Sequence, residues 1–325
     1  MKILLLTFVG MLLSVSSYSA DKPDFVVAQD GSGNFISIQK AIDACKAFPD
    51  ARVTIFVKNG TYKEKIVVPS CNSYLSIIGE SAEKTIISFD DYFDKVNRGR
   101  NSTFYTYTLK VEANDFRLEN ITVENTAGPV GQAVALHVEG DRCVFLNCRF
   151  LGNQDTVYAA GRFSRQYFTG CYIEGTTDFI FGEATALFES CRLLCKANSF
   201  ITAASTPEGK PFGFVFRNCK ITAASGIDKV FLGRPWRSFA KVTFLNCETG
   251  AFIRPEGCDN CSKLENEKTV EFSEFGTLGS DISKRVAWSH KLGITETSKF
   301  TNENIFAPFE WEISQDKKWF DLDNK

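Results

Sequence analysis

The sequence predicts an all-β protein: a right-handed parallel β-helix with a short N-terminal capping helix and a C-terminal helical and loop segment. Three observations predict it. A strand–corner–strand motif recurs six times, in residues 116–122, 144–150, 166–173, 187–193, 215–221 and 243–248, with landmarks 27, 23, 20, 28 and 28 residues apart. A fixed motif at such a period signals a stacked repeat, each copy making one coil. Strand-like runs fill the repeats and leave almost no room for helix. Thirty phenylalanines against two methionines suit strands that stack aromatic rings.

Residues 1–20 read as a secretory signal: Lys2, an apolar run from Ile3 to Leu13, then Ser16-Ser17-Tyr18-Ser19-Ala20. The run is shorter than the ~20 residues a bilayer span needs, so no anchor is read into it. The remainder, 21–325, is expected to form one extracellular domain acting as a monomer. A net charge of −2 offers no footprint for nucleic acid or a membrane surface.

After the strand-like residues 25–28, Asp30-Gly31-Ser32-Gly33 makes a turn. Ile38, Ala41, Ile42 and Cys45 then recur at helical spacing behind a potential N-cap, Ser37. This helix, read over 37–48, is the candidate cover for the first coil, since a solenoid must hide the strand edges at its ends. Short strands follow at 53–57, 66–68, 75–79 and 85–88, and then the six repeats. Residues 280–306 have mixed helical spacing and are placed over or beside the far end.

Each repeat carries an apolar strand, a small residue or Asn, then Cys (Ile121 in the first copy), then a second strand. Cys148, Cys171, Cys191, Cys219 and Cys247 therefore stack as a buried column, chiefly as space-filling thiols. Adjacent coils fall near the lower limit of disulfide spacing, and Cys171–Cys191, with the shortest gap, is the pair expected to bridge if any does. Cys258-Asp259-Asn260-Cys261 has no second half to complete a zinc site, so a local disulfide or free thiols are expected there. Sequons stand at Asn59, Asn101, Asn120 and Asn260; Asn120 occupies the corner of the repeat and is discounted as a glycan site.

The chemistry centres on two aspartates. Asp155 lies seven residues after Cys148, and Asp178 seven after Cys171. In a β-helix this places them on one face of adjacent coils. Like charges that near do not both ionise easily, so one becomes a proton donor and the other a nucleophile or base. The bland alternative is that each caps a turn, which aspartates favour. Gln132 and Gln154 are neutral amides suited to a developing oxyanion. Arg234, from a later coil, is suited to hold Asp178 ionised. Trp236, Tyr158, Phe179 and Phe181 are expected to line a sugar-binding cleft. Only two histidines exist, His137 and His290, and no Gly-x-Ser-x-Gly elbow accompanies them. His137, in the alternating run 133–138, is placed on the solvent side of a strand. No metal cluster or phosphate loop is apparent, and no cofactor is expected.

These residues fall in five motifs: Gly60-Thr61-Tyr62-Lys63-Glu64, Gly131-Gln132-Ala133-Val134-Ala135-Leu136, Gln154-Asp155-Thr156-Val157-Tyr158, Asp178-Phe179-Ile180-Phe181-Gly182 and Leu232-Gly233-Arg234-Pro235-Trp236. Their order resembles that of the pectin methylesterase (pectinesterase) family, and the resemblance runs from about residue 24 to about residue 310. It implies removal of methyl groups from galacturonate esters of pectin without metal or organic cofactor. The residue matching Asp178 is then the nucleophile, and that matching Asp155 the general acid and base. The matches to Gln132 and Gln154 stabilise the oxyanion, Arg234 bonds the nucleophile, and Trp236 contacts substrate. Val157 stands where the family often has Leu. Three rivals are a polysaccharide lyase or hydrolase on the same fold, a carbohydrate-binding relative without activity, and an esterase for another ester. No Gly-His-Gly and no acidic calcium cluster near the aspartates favours the first.

Overall fold

The computed structural model describes residues 22–308 and 318–322. The expected signal segment, 1–20, lies outside them. Strands wind into three sheets, one of eleven strands and two of seven, and every strand pair is parallel. Each coil contributes one strand to each sheet in turn, as in 143–146, 149–151 and 157–159. This is the parallel β-helix that the repeats predict.

The interior is built from the repeat. Phe145, Phe168, Phe188, Phe216 and Phe244 occupy one register position in five consecutive coils of the large sheet. Their rings stack at centroid separations of 4.5, 4.6, 4.7 and 4.7 Å, near the strand spacing itself. The abundance of Phe is thus a consequence of coil stacking.

At the corner that follows, Asn120, Asn147, Gly170, Ser190, Asn218 and Asn246 all have φ between 52° and 63°. Only Gly, or a short polar side chain such as Asn, adopts that conformation at low cost. The next residue, Ile121 in the first copy and cysteine in the other five, is directed inward. Each thiol donates to a main-chain carbonyl one coil back: Cys171 to Phe145 O at 3.3 Å, Cys191 to Phe168 O at 3.5 Å and Cys219 to Phe188 O at 3.2 Å. The Cys171–Cys191 bridge is therefore not formed, and all eleven cysteines, Cys258 and Cys261 included, are free thiols. The thiols of Cys171 and Cys191 are already committed to the backbone, and burial raises both of their pKa values well above the usual thiol range.

The capping helix is Ile38–Asp43, six residues rather than twelve. Its N-terminus is closed by Ser37 and by Glu64, whose carboxylate accepts from Ile38 N and Gln39 N, both at 3.0 Å. Gln39 performs the capping proper. Its side-chain amide accepts from Val67 N (2.8 Å) and donates to Val67 O (3.1 Å), completing the edge of strand Ile66–Val68 as a further strand would.

The C-terminal segment flanks the solenoid more than it covers its end. Strand His290–Lys291 adds to the large sheet. Leu292, Phe300, Ile305 and Phe306 then lie along that sheet's outer face against Tyr167, Leu187, Val215 and Leu245. Arg217 donates to Phe300 O at 2.9 Å, and Arg165 to Ala307 O at 3.2 Å, fixing the strap to coils well apart in sequence.

Candidate active site

The strands Val157–Ala159 and Ile180–Gly182 pair with Val157 opposite Ile180 and Tyr158 opposite Phe181. Asp155 and Asp178 precede these strands by the same number of residues, so the register places them on adjacent coils. Both have left-handed backbones, φ 67° and 49°, which Asp tolerates better than most residues. Each is held by its own N–H, Asp155 to Thr177 O at 3.1 Å and Asp178 to Phe200 O at 2.8 Å. Both are largely buried, with 7% and 9% of their surface exposed.

The two carboxyls are not equivalent. Arg234 lies on strand Phe231–Pro235, two coils beyond that of Asp178, in register with Ala203 and, one coil further back, Phe181. Its guanidinium reaches back over the Phe200 ring, 4.4 Å from the centroid. It forks onto Asp178, with Nε 3.1 Å from Oδ1 and Nη2 2.6 Å from Oδ2. Burial raises the pKa of Asp178, and the Arg234 hydrogen bonds and charge oppose that rise. Asp155 receives no such fork. Burial, and then the neighbouring Asp178 charge, push its pKa well above the carboxylate range. Asp155 therefore holds a proton more readily, while Asp178 is the better placed to be ionised.

Gln132 and Gln154 form a parallel bridge between adjacent coils. Both are partly exposed, on the face that carries the aspartates. In coil order the site runs Gln132, then Gln154 with Asp155, then Asp178, with Arg234 reaching back from beyond.

Trp236 is half-exposed at the edge of an aromatic group. Tyr158 and Phe181 stack at 4.5 Å, and Phe181 meets Trp236 edge-on at 5.9 Å. Tyr158 and Phe181 are nearly buried, so they form the floor beneath the surface. Phe179 is a correction: it is wholly buried in the main core. The corner after Asp178 turns it inward, where it packs so closely on Gly175 that a Cβ there would lie 2.2 Å from its own. His137 is also a correction. It sits on the outer side of its strand but is only 2% exposed, covered by Tyr107 and Tyr158 and 2.9 Å from Glu139.

Three groups near the site escaped the sequence reading. Phe104, from the 3-10 turn Gly99–Tyr105, packs on Tyr158 at 5.2 Å. Glu183 accepts from Gly161 N at 3.0 Å and lies 3.5 Å from the Tyr158 hydroxyl. Arg162 stands across a surface hollow from Arg237. Phe104 and Arg162 sit in irregular turns, where periodicity carries no signal; Glu183 directly follows the Asp178 motif and was readable there.

Two buried carboxyls, one of them forked by an arginine, and two neutral amides, on one face of a β-helix, are the parts of a carbonyl-directed hydrolase. The comparisons agree with that class. The model of the family described as Pectinesterase matches residues 24–308. Pectinesterase 31 of Arabidopsis thaliana is 39% identical over 306 residues, which cover 91% of this chain and 94% of that protein. A pectinesterase/pectinesterase inhibitor of Brassica campestris is 35% identical, and there the match spans about half of the relative, 53%, and 89% of this chain. Among solved structures, pectin methylesterase from carrot superposes with a TM-score of 0.83 at 29% identity, covering 89% of this chain and 94% of its own. That from Aspergillus niger gives 0.75 at 28%, covering 85% and 92%. The chain belongs to the pectinesterase family, a family of carboxylic ester hydrolases.

Proposed function

We propose that this protein removes methyl groups from the galacturonate methyl esters of pectin, giving methanol and de-esterified pectin. The Asp178 carboxylate attacks the ester carbonyl, and the side-chain amides of Gln132 and Gln154 donate to the oxyanion that develops. Asp155 gives its proton to the departing methoxide, releasing methanol and leaving an acyl group on Asp178. Water then attacks that acyl group. Asp155, now a carboxylate, takes the proton from the water, and Asp178 leaves as the free carboxylate. The cycle returns both groups to their starting states and requires no cofactor. Trp236 gives the sugar ring an apolar face to rest on, over Tyr158 and Phe181.

The observation that carries this reading is the Arg234 fork on Asp178 and its absence on Asp155, which favours the anion on Asp178 over that on Asp155. All of these residues come from one chain, so the proposed site needs no second copy to be complete. Among the described residues no helix is long and apolar enough to cross a membrane. A polymer substrate of the cell wall, together with the 1–20 segment, supports an extracellular location, and the exposed Asn59 and Asn101 are the sequons open to glycans there.

The test follows methanol release from highly methylated pectin, with polymer length measured in parallel. Asp178→Ala should lower kcat by at least about 10⁴-fold, and Asp155→Asn by about 10²- to 10⁴-fold, with circular dichroism unchanged. Methanol release by Asp178→Ala at the unmutated rate would remove it as nucleophile. Falling viscosity without methanol would favour a lyase or glycosidase instead.

A further inference from the structure

Gln132 lies outside the regular strands, in the loop 126–135 between strands Thr122–Asn125 and Leu136–Val138. Gly128 and Gly131 of that loop have left-handed backbones, φ 86° and 106°, and glycine there leaves the chain soft. An oxyanion donor works only when its geometry is held to within about 0.5 Å. Something must therefore stiffen the loop. Asn125, the last residue before it, is only 5% exposed. Its side-chain Oδ1 accepts from Ala127 N at 3.0 Å, and its Nδ2 donates to Val134 O at 3.1 Å. One side chain thus grips the loop on both sides of Gln132. The same Nδ2 also donates to Asp91 O at 2.8 Å and to Thr106 O at 3.1 Å. Those two carbonyls flank the segment from which Phe93 N reaches Gln132 O at 3.0 Å. Thr106 closes the circuit, its Oγ1 accepting from Val134 N at 2.9 Å.

Resting on the role given above to Gln132, we propose that Asn125 is a positioning residue for it: the Asn125 amide staples the loop shut and joins it to the 91–106 segment, and so fixes where the Gln132 side chain meets the oxyanion. Burial alone does not call for an amide here, since an apolar side chain fills space without a desolvation cost. What the amide adds is direction. Its oxygen serves a main-chain N–H and its nitrogen serves carbonyls, so it holds only one arrangement of the two segments. Gln132 is then bound by its own carbonyl to Phe93 N and, through Ala133 N, to Gln154 O at 3.1 Å, on a frame that Asn125 keeps in place.

The test is a double-mutant cycle on methanol release from highly methylated pectin, with kcat and KM measured for the unmutated enzyme, N125A, Q132A and N125A/Q132A. Each rate is scaled to the folded fraction read by circular dichroism. Q132A should lower kcat by about 10²- to 10³-fold. N125A should lower kcat about tenfold or more and leave KM within about twofold, because the oxyanion forms only after attack on the carbonyl. In the Q132A background the same change should cost less than about threefold, since the position of an absent side chain no longer matters. N125D keeps the size of the side chain and the acceptor for Ala127 N, but presents an oxygen to the three carbonyls. It should lose at least as much kcat as N125A, which separates the staple from a mere cavity. An unchanged kcat in N125A or N125D, or the same tenfold loss in both backgrounds, overturns the positioning role while the esterase reading stands. Q132A at the unmutated kcat overturns the role of Gln132, and this inference with it. Absence of methanol from the unmutated enzyme overturns the esterase reading itself.

Discussion

Arg234 forks onto one of two similar aspartates and leaves the other without a cation. The acids themselves were legible in the sequence, because each follows a repeat cysteine by the same number of residues. Their difference was less so, since it depends on a side chain 56 residues beyond Asp178 reaching across two coils. Arg234→Gln removes the fork while burial still raises the pKa of Asp178. In the proposed mechanism Asp178 works ionised, so activity should climb as pH rises through its pKa. The variant's acid limb should therefore shift to higher pH, with kcat lowered about tenfold or more; a pH–rate profile with an unmoved limb would show that Arg234 does not steady the nucleophile. Asp155 makes a second statement, about stability. Its folded pKa is raised above the unfolded one, so its contribution favours folding fully below about pH 3.9 and is lost as pH rises toward the folded value. Asp155→Asn should melt a few degrees higher than the unmutated protein at pH 7, by roughly what 1 kcal/mol gives in a domain of this size. The gap should close near pH 3.5, and equal melting temperatures at both pH values would contradict the burial argument.

At the scale of the element, the coil explains what the repeat pattern showed and what it hid. The corner was visible as a small residue or Asn before Cys, and the structure supplies the reason in a left-handed backbone that recurs in six coils. The aromatic count pointed to stacked rings, and the ladder from Phe145 to Phe244 is that stack. The strand after Asp178 misled, because Phe179 belongs to the corner and turns inward, whereas Phe181 lies on the outer face. Sequence alternation alone does not separate corner from strand. His137 misled for another reason: its strand alternates as expected, but residues distant in sequence cover it. Phe188 sits between two stacked rings, 4.6 and 4.7 Å away. Phe188→Ala should cost about 3–5 kcal/mol, read as a lower urea midpoint, and a cost under about 1 kcal/mol would mean that the ladder relaxes around the gap.

At the scale of the whole molecule, a chain read as exported left room for a bridge at Cys171–Cys191 or Cys258–Cys261, but the cysteines are free and the motif column is held by packing and by thiol-to-carbonyl hydrogen bonds. Unfolding in guanidinium without reductant should expose eleven titratable thiols, while the folded protein should react only at the half-buried Cys45, Cys71 and Cys261. A count of nine or fewer after unfolding would reveal a bridge. The order of the coils was legible because each copy repeats a motif. The path of the C-terminal strap was not, because it follows no period and its partners are outward residues of coils far away in the chain.

That strap changes how the solenoid shares mechanical load. A bare stack of coils couples only nearest neighbours, so tension at one end peels off a coil at a time. Here Arg165 and Arg217, on strands two coils apart, are both tied to the same short stretch, at Ala307 and Phe300. A pull on the C-terminus is therefore borne by several coils in parallel, like a splint laid across the turns of a spring. Asp178 lies on the first of the coils so splinted, and Asp155 on the coil just before it.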